Sequence, residues 1–300
     1  MRTAAFFAML SLPLAAADLV IDHVTAAGSD LGTMQSKLAG VGIKSEYGGP
    51  HNNHATEMAL VSFKDGSYLE LIAIQRSADP QAVAAHYWSK YMQGNAGPAA
   101  FAVRAKDLAG EVARLKEAGI AVTPPVRAGR DRPDGVKLEW ETSNTGSEPN
   151  GTFFPFQIHD FTPRDQRAFP NGKPTTDDFG GVGQVVIAVK DLNAAIARYR
   201  QAYDLARPGV ETDKEFGAHL AYFRFTPIIL AAPTGPASWI AQRLEKFGEG
   251  PSAFILTDGG PERIYQSVQH GRWFTTEVYW LDSEKLGWHL GFRPRRRHGQ

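Results

Sequence analysis

The chain of 300 residues contains no cysteine. That excludes disulfides, a thiolate nucleophile and a lipid-bearing cysteine, so the fold has to rest on core packing, helped at most by a metal. Charge of one sign is also lacking. Thirty-two Lys and Arg balance 32 Asp and Glu, with a pI near 7.1, which is not the basic face of a nucleic-acid binder. The one concentrated positive run, Arg293 to Gly299, reads as a solvated tail. No apolar run is long enough to span a bilayer. Phosphate-cradling and dinucleotide-binding glycine loops are missing, and no Gly-x-Ser-x-Gly elbow presents a serine nucleophile. Asn150-Gly151-Thr152 is a formal glycosylation sequon and carries little weight alone.

The N-terminus reads as an export signal. An early arginine, an apolar run from Ala4 to Leu14 and the small residues Ala15-Ala16-Ala17 predict cleavage near Ala17 and a periplasmic or secreted mature chain. The chain is 43% hydrophobic, enough to bury a sizeable core.

A supersecondary unit recurs. "IDHVTAAGSDLGTMQSKLAGVGI", "AAFAVRAKDLAGEVARLKEAGI" and "GQVVIAVKDLNAAIARYRQAYDL" each run from a strand-like stretch through Asp-Leu into an amphipathic helix. Asp30, Asp107 and Asp191 suit N-caps, because a carboxylate accepts from the free N–H groups of a helix's first turn. Behind them, Leu31, Met34, Leu38 and Val41 share one face, as do Leu108, Val112 and Leu115, and then Leu192, Ile196, Tyr199 and Tyr203. Strand signals come after each helix, among them "EMALVSF" and "YLELIAI" around the hairpin turn Asp65-Gly66. A degraded fourth copy begins at "PSAFILTDGG". The expected fold is α+β, with four βαβββ modules paired into two cupped mixed sheets, helices outside and a hollow inside. The expected divisions are a signal over 1–17, a first domain over 18–168, a linker over 169–180 within the polar stretch 164–181, a second domain over 181–295 and the tail.

Strand alternation puts Ile21, His23 and Thr25 on one face, and Tyr68, Glu70 and Ile72 on one face of "YLELIAI". Both faces of that second strand are largely apolar, so a carboxylate there has to be paired, hydrogen-bonded or metal-bound. An imidazole and a carboxylate on adjacent strands suit zinc, iron, manganese or nickel. The loop "GGPHNNHATEMAL" adds His51, His54 and Glu57, from which further ligands or a general base can come. His86, among Tyr87, Trp88 and Tyr91, reads as packing. His159 is a weaker candidate for the hollow, and His219 and His289 are weaker again.

With a His in the first strand and a Glu in the last, "IDHVTAAGSDL", "GGPHNNHATEMALVSFKDGSYLELIAI" and "LEWETSNTG…GTFFPFQIHDFTPRDQR" resemble the vicinal oxygen chelate superfamily, and within it bacterial glyoxalase-like domain proteins. The resemblance covers about residues 18 to 168, and the second half resembles it at the level of the module. It implies a divalent metal held by His23 and Glu70, with His51 matching the histidine of a Gly-Gly-x-His loop. His54 is a further candidate ligand, and Glu57 and His51 are candidate catalytic groups. Departures are Ala100 at the position of His23 in the second module, Met58 in place of an expected asparagine, and Gln184 and Ile229 in place of His23 and Glu70 in the third. One working hollow is therefore expected, in the first half. The implied function is an exported metal-dependent lyase, isomerase or dioxygenase acting on a small oxygenated molecule. Glutathione-dependent chemistry does not suit an exported protein. A non-catalytic small-molecule binder of the same fold is the alternative. The sequence leaves a homodimer open as an assembly.

Overall fold

The computed structural model describes residues 19–132 and 134–295. The expected export signal and residues 296–300 lie outside the described residues.

The first module runs β1 (Ile21–Ala27), α1 (Leu31–Gly40), β2 (Glu46–Pro50), β3 (Thr56–Ser62) and β4 (Tyr68–Ile74). Two short helices, α2 (Pro80–Ala85) and α3 (Ser89–Gln93), lead to the second module: β5 (Gly97–Arg104), α4 (Leu108–Glu117), β6 (Val126–Asp131), β7 (Lys137–Ser143) and β8 (Phe156–Asp160), closed by α5 (Arg164–Ala168). The third is β9 (Gly181–Ala188), α6 (Leu192–Tyr203), β10 (Gly209–Asp213), β11 (Ala218–Tyr222) and β12 (Ile228–Pro233), followed by α7 (Trp239–Phe247). The fourth is β13 (Gly250–Gly259), α8 (Pro261–Gln266), β14 (Gln269–Trp273), β15 (Thr276–Trp280), α9 (Ser283–Leu286) and β16 (His289–Pro294).

The expected pairing of modules is present. One eight-stranded sheet has the order β2-β3-β4-β1-β5-β8-β7-β6, and the other repeats it as β10-β11-β12-β9-β13-β16-β15-β14. In each module the first strand lies parallel to the last, and the first strands of paired modules meet antiparallel. The three aspartates cap their helices: Asp30 accepts from Thr33 N–H, Asp107 from Gly110 and Asp191 from Ala194. Each such cap contributes about 1 kcal/mol. The expected helix faces are buried or packed on the core. Val24, Ala26, Leu69 and Leu71 of the first sheet and Val185, Ile187 and Leu230 of the second belong to one apolar core shared by both halves.

Ahead of the expected linker over 169–180, the polar stretch 164–181 opens with α5, whose Arg167 is buried. One local expectation is corrected. Ile21 does not share a face with His23. A bulge at Asp22, where the β1–β5 register shifts, turns Ile21 toward the shared core with Val24 and Ala26 and leaves His23 and Thr25 facing the hollow.

Candidate active site

The concave side of the first sheet encloses a cavity of about 340 Å³ lined by His23, His51, Tyr68, Glu70, His86, Trp88, Arg130, Trp140, Phe156 and Arg167, among others. Parallel pairing of β1 with β4 sets His23 opposite Tyr68 and Thr25 opposite Glu70. His23 is 5% exposed and Glu70 6%. Both are fixed from behind. Thr25 Oγ1 donates to Glu70 Oε2 at 3.0 Å. The bulge brings Asp22 Oδ1 to 2.6 Å from His23 Nδ1. Burial pushes the Asp22 carboxyl up, but Arg167, the His23 hydrogen bond and Arg164 outweigh it and hold it well below the usual carboxylate range. An ionised carboxylate only accepts, so Nδ1 carries the hydrogen, and in the neutral imidazole Nε2 keeps its lone pair. The His23 ring also stacks on Tyr68, with centroids 4.7 Å apart and planes 2° from parallel.

His51 joins this pair. Its Nε2 lies 3.6 Å from Glu70 Oε1, and its Nδ1 hydrogen-bonds Thr56 Oγ1 at 2.8 Å. Burial lowers its pKa despite the nearby Glu70, which favours the neutral imidazole. The other loop candidates are not brought in. His54 is exposed, at φ 56° in the turn before β3, away from the cavity lining. Glu57 alternates with the cavity-lining Thr56 and Met58 and so faces away, where it accepts from Tyr47 Oη at 3.0 Å. The base role expected of Glu57 therefore has no geometry behind it. His159 points off the cavity, with Nδ1 2.9 Å from Ala105 O.

His86, expected as packing, lines the cavity. Burial, with His51 adding to it, pushes its pKa down to about 4. Its Nδ1 accepts from Trp88 N–H at 3.1 Å. Two arginines absent from the sequence expectations, Arg130 and Arg167, also stand on the cavity wall. Arg167 pairs with Asp22 and Asp160 and donates to Tyr68 Oη at 2.6 Å. Burial opposes its charge, but these partners hold its pKa well above the ordinary arginine value. The signal that could have found it is the arginine spacing in "RDQRA", one helical turn that aims Arg164 and Arg167 at the same aspartates.

Register shows why this module alone keeps both donors. Helix caps align His23 with Ala100 and Gln184. Pairing of Ala102 with Phe156 and of Val186 with Ile229 puts those partners where Thr25 has Glu70. Phe156 and Ile229 thus occupy the carboxylate position. The corresponding side of the second sheet is packed with Phe216, Trp273 and Trp280, and Trp239 stacks on His289 at 4.0 Å.

In donor chemistry, two imidazoles and a carboxylate fit a divalent ion, and a ligating histidine usually gives its other ring N–H to a carboxylate, as His23 does to Asp22. The 3.6 Å between His51 Nε2 and Glu70 Oε1 also suits two donors on one ion, each at about 2.1 Å. Among the described residues, however, no group of three or more His, Cys, Asp or Glu stands close enough together to hold a metal. The geometry fits a ligand pair and stops short of a three-ligand cluster.

Solved structures offer likenesses of fold. A hypothetical protein from Staphylococcus aureus is 15% identical, covering 92% of this chain and 99% of that one, with a TM-score of 0.62. Methylmalonyl-CoA epimerase from Mycobacterium tuberculosis is 20% identical over 41% of this chain and 92% of its own, with a TM-score of 0.36. A hypothetical protein from Bacillus halodurans C-125 is 20% identical over 40% of this chain and 96% of its own, with a TM-score of 0.33. No curated protein matches the chain. A family model described as a glyoxalase-like domain matches residues 21–202, more than half of the chain and the whole of the sheet that carries His23 and Glu70, and the chain belongs to that glyoxalase-like domain family.

Proposed function

We propose that the first-sheet cavity is the active site of an exported enzyme of lyase, isomerase or dioxygenase type, which acts on a small oxygenated molecule with the help of a divalent ion. His23 and Glu70 would hold the ion, and His51, with Nε2 3.6 Å from Glu70 Oε1, would be a further donor. The chemistry the ion supplies when bound is polarisation of a substrate oxygen. The chain itself does the rest. Asp22 and Thr25 fix the two principal donors, Trp88 and Phe156 exclude water, and the neutral His51, its Nδ1 held by Thr56, would accept a proton on Nε2 only where that nitrogen does not ligate the ion. The observation that carries this reading is the convergence of His23, Glu70 and His51 on one cavity, with Asp22 on the far nitrogen of His23.

The incomplete donor cluster favours a second reading, a protein that binds a small molecule in the same cavity without turning it over. Metal analysis of the purified protein separates the two. Stoichiometric metal that disappears in the His23→Ala and Glu70→Ala double variant is expected for the enzyme. Metal-free wild type that still binds a ligand leaves only the binder.

A further inference from the structure

Arg130 lies on β6, one edge of the first sheet, and reaches across the cup to β2, the opposite edge, where its Nη1 donates to Gly48 O at 2.8 Å. It is 4% exposed and lines the cavity that holds His23 and Glu70. A guanidinium has five N–H donors, and Gly48 O satisfies one of them. Among the described residues no carboxylate lies within ion-pair distance of it. Arg167, also on the cavity wall, is in the opposite condition, neutralised by Asp22 and Asp160. Glu70 attracts Arg130 only from beyond ion-pair distance, with Thr25 on one of its oxygens and His51 beside the other.

A buried cation without a counter-ion is costly. A ligand that brings the anion removes the cost, and the planar fork of arginine matches a carboxylate in two parallel hydrogen bonds. Arg130 is a cavity-wall arginine with no carboxylate at ion-pair distance among the described residues, so one ligand carboxylate is what its fork can take. Trp88, Trp140 and Phe156 give one part of the wall a flat, apolar character.

We infer that Arg130 is the carboxylate-binding residue of this cavity, and that the ligand is a small carboxylate with a flat apolar body seated against Trp88, Trp140 and Phe156. This deepens the proposed function and rests on its reading of the cavity as a small-molecule site.

The test is calorimetric titration of the purified full chain with benzoate, phenylacetate and 3-phenylpropanoate, each compared with its own primary amide. At least one acid is expected to bind tenfold or more tightly than its amide. Arg130→Gln should abolish that preference with metal content unchanged, and Arg130→Lys should keep part of it. The inference is overturned if no acid is preferred over its amide in the wild type, or if the preference survives Arg130→Gln. The wild-type comparison does not depend on how well a variant folds. Metal content, read on the same samples and in the His23 and Glu70 variants, judges the metal reading separately, so either idea can fail while the other stands.

Discussion

Asp22 and His23 are sequence neighbours whose side chains meet, Oδ1 to Nδ1, at 2.6 Å. A regular strand forbids this, because successive side chains leave on opposite faces. The bulge in β1 allows it, and it ties the imidazole to an ion network in which Arg164 and Arg167 also hold Asp22.

Replacing Asp22 with Asn tests that coupling. The amide can present either an acceptor or a donor to Nδ1, so it no longer selects the tautomer, and Arg167 loses one of its two counter-charges, keeping only Asp160. If His23 ligates, metal affinity should fall by about 10- to 100-fold, read by competition with a chromogenic chelator. Stability should fall as well, by roughly 3 kcal/mol, in urea denaturation. Unchanged metal affinity alongside lower stability would mean that Asp22 serves only the ion network.

Much of this fold is legible in the sequence because each module repeats a capped amphipathic helix, and Asp30, Asp107 and Asp191 mark the same turn three times. The edge strands are not legible. β2 is "EYGGP" and β10 is "GVETD", with too little apolar alternation to register, yet backbone pairing with β3 and β11 suffices to build them. At the site, His23 and Glu70 stand out as polar residues in apolar strands. Arg130 and Arg167 do not, because each sits in a polar stretch and is buried only when the cup curls, which no local pattern encodes. Glu57 reads as a candidate for its closeness to His51 in sequence, and alternation along β3 turns it away.

Gln184 occupies the place of His23 in the third module. It is buried, and its Oε1 has no hydrogen-bond partner among the described residues. An unsatisfied buried amide costs about 1–3 kcal/mol, so Gln184→Met should leave stability unchanged or raise it by about 1 kcal/mol, seen as an equal or higher Tm. A clear loss of stability would show that Gln184 does more than fill space.

Acid should weaken the fold in two stages. Burial and the nearby Arg243 push the pKa of His289 down to about 4, and His86 is likewise near 4. An unfolded histidine titrates near about 6.5. As pH falls below that value the unfolded chain takes up protons first, so stability declines between about 6.5 and 4 and levels off beneath. Asp22, with its pKa lowered, contributes stability that is fully present above the unfolded carboxylate value of about 3.9 and is lost as pH falls below it. Urea midpoints measured from pH 7 to 4 should fall, and His289→Phe, which preserves the ring stack on Trp239, should flatten the decline. A wild-type midpoint independent of pH over that range refutes the assignment.

The two halves are joined by Arg243 of α7. Its guanidinium donates to Ala96 O and Pro98 O of the first half and to Pro251 O of the second. Burial pushes its pKa down to about 10, so it remains charged at neutral pH. Hydrogen bonds from a charged donor are worth about 1.5–3 kcal/mol each, and truncation leaves buried carbonyls unpaired. Arg243→Ala should therefore cost roughly 3 kcal/mol or more in urea denaturation. Arg243→Lys should recover only part, because a single ammonium cannot face three carbonyls that a planar fork reaches together. Metal content and carboxylate binding should be retained in folded Arg243→Lys, since the first-sheet cavity is lined without Arg243. A cost below about 1 kcal/mol for the alanine variant would mean that the halves are held by the shared apolar core alone.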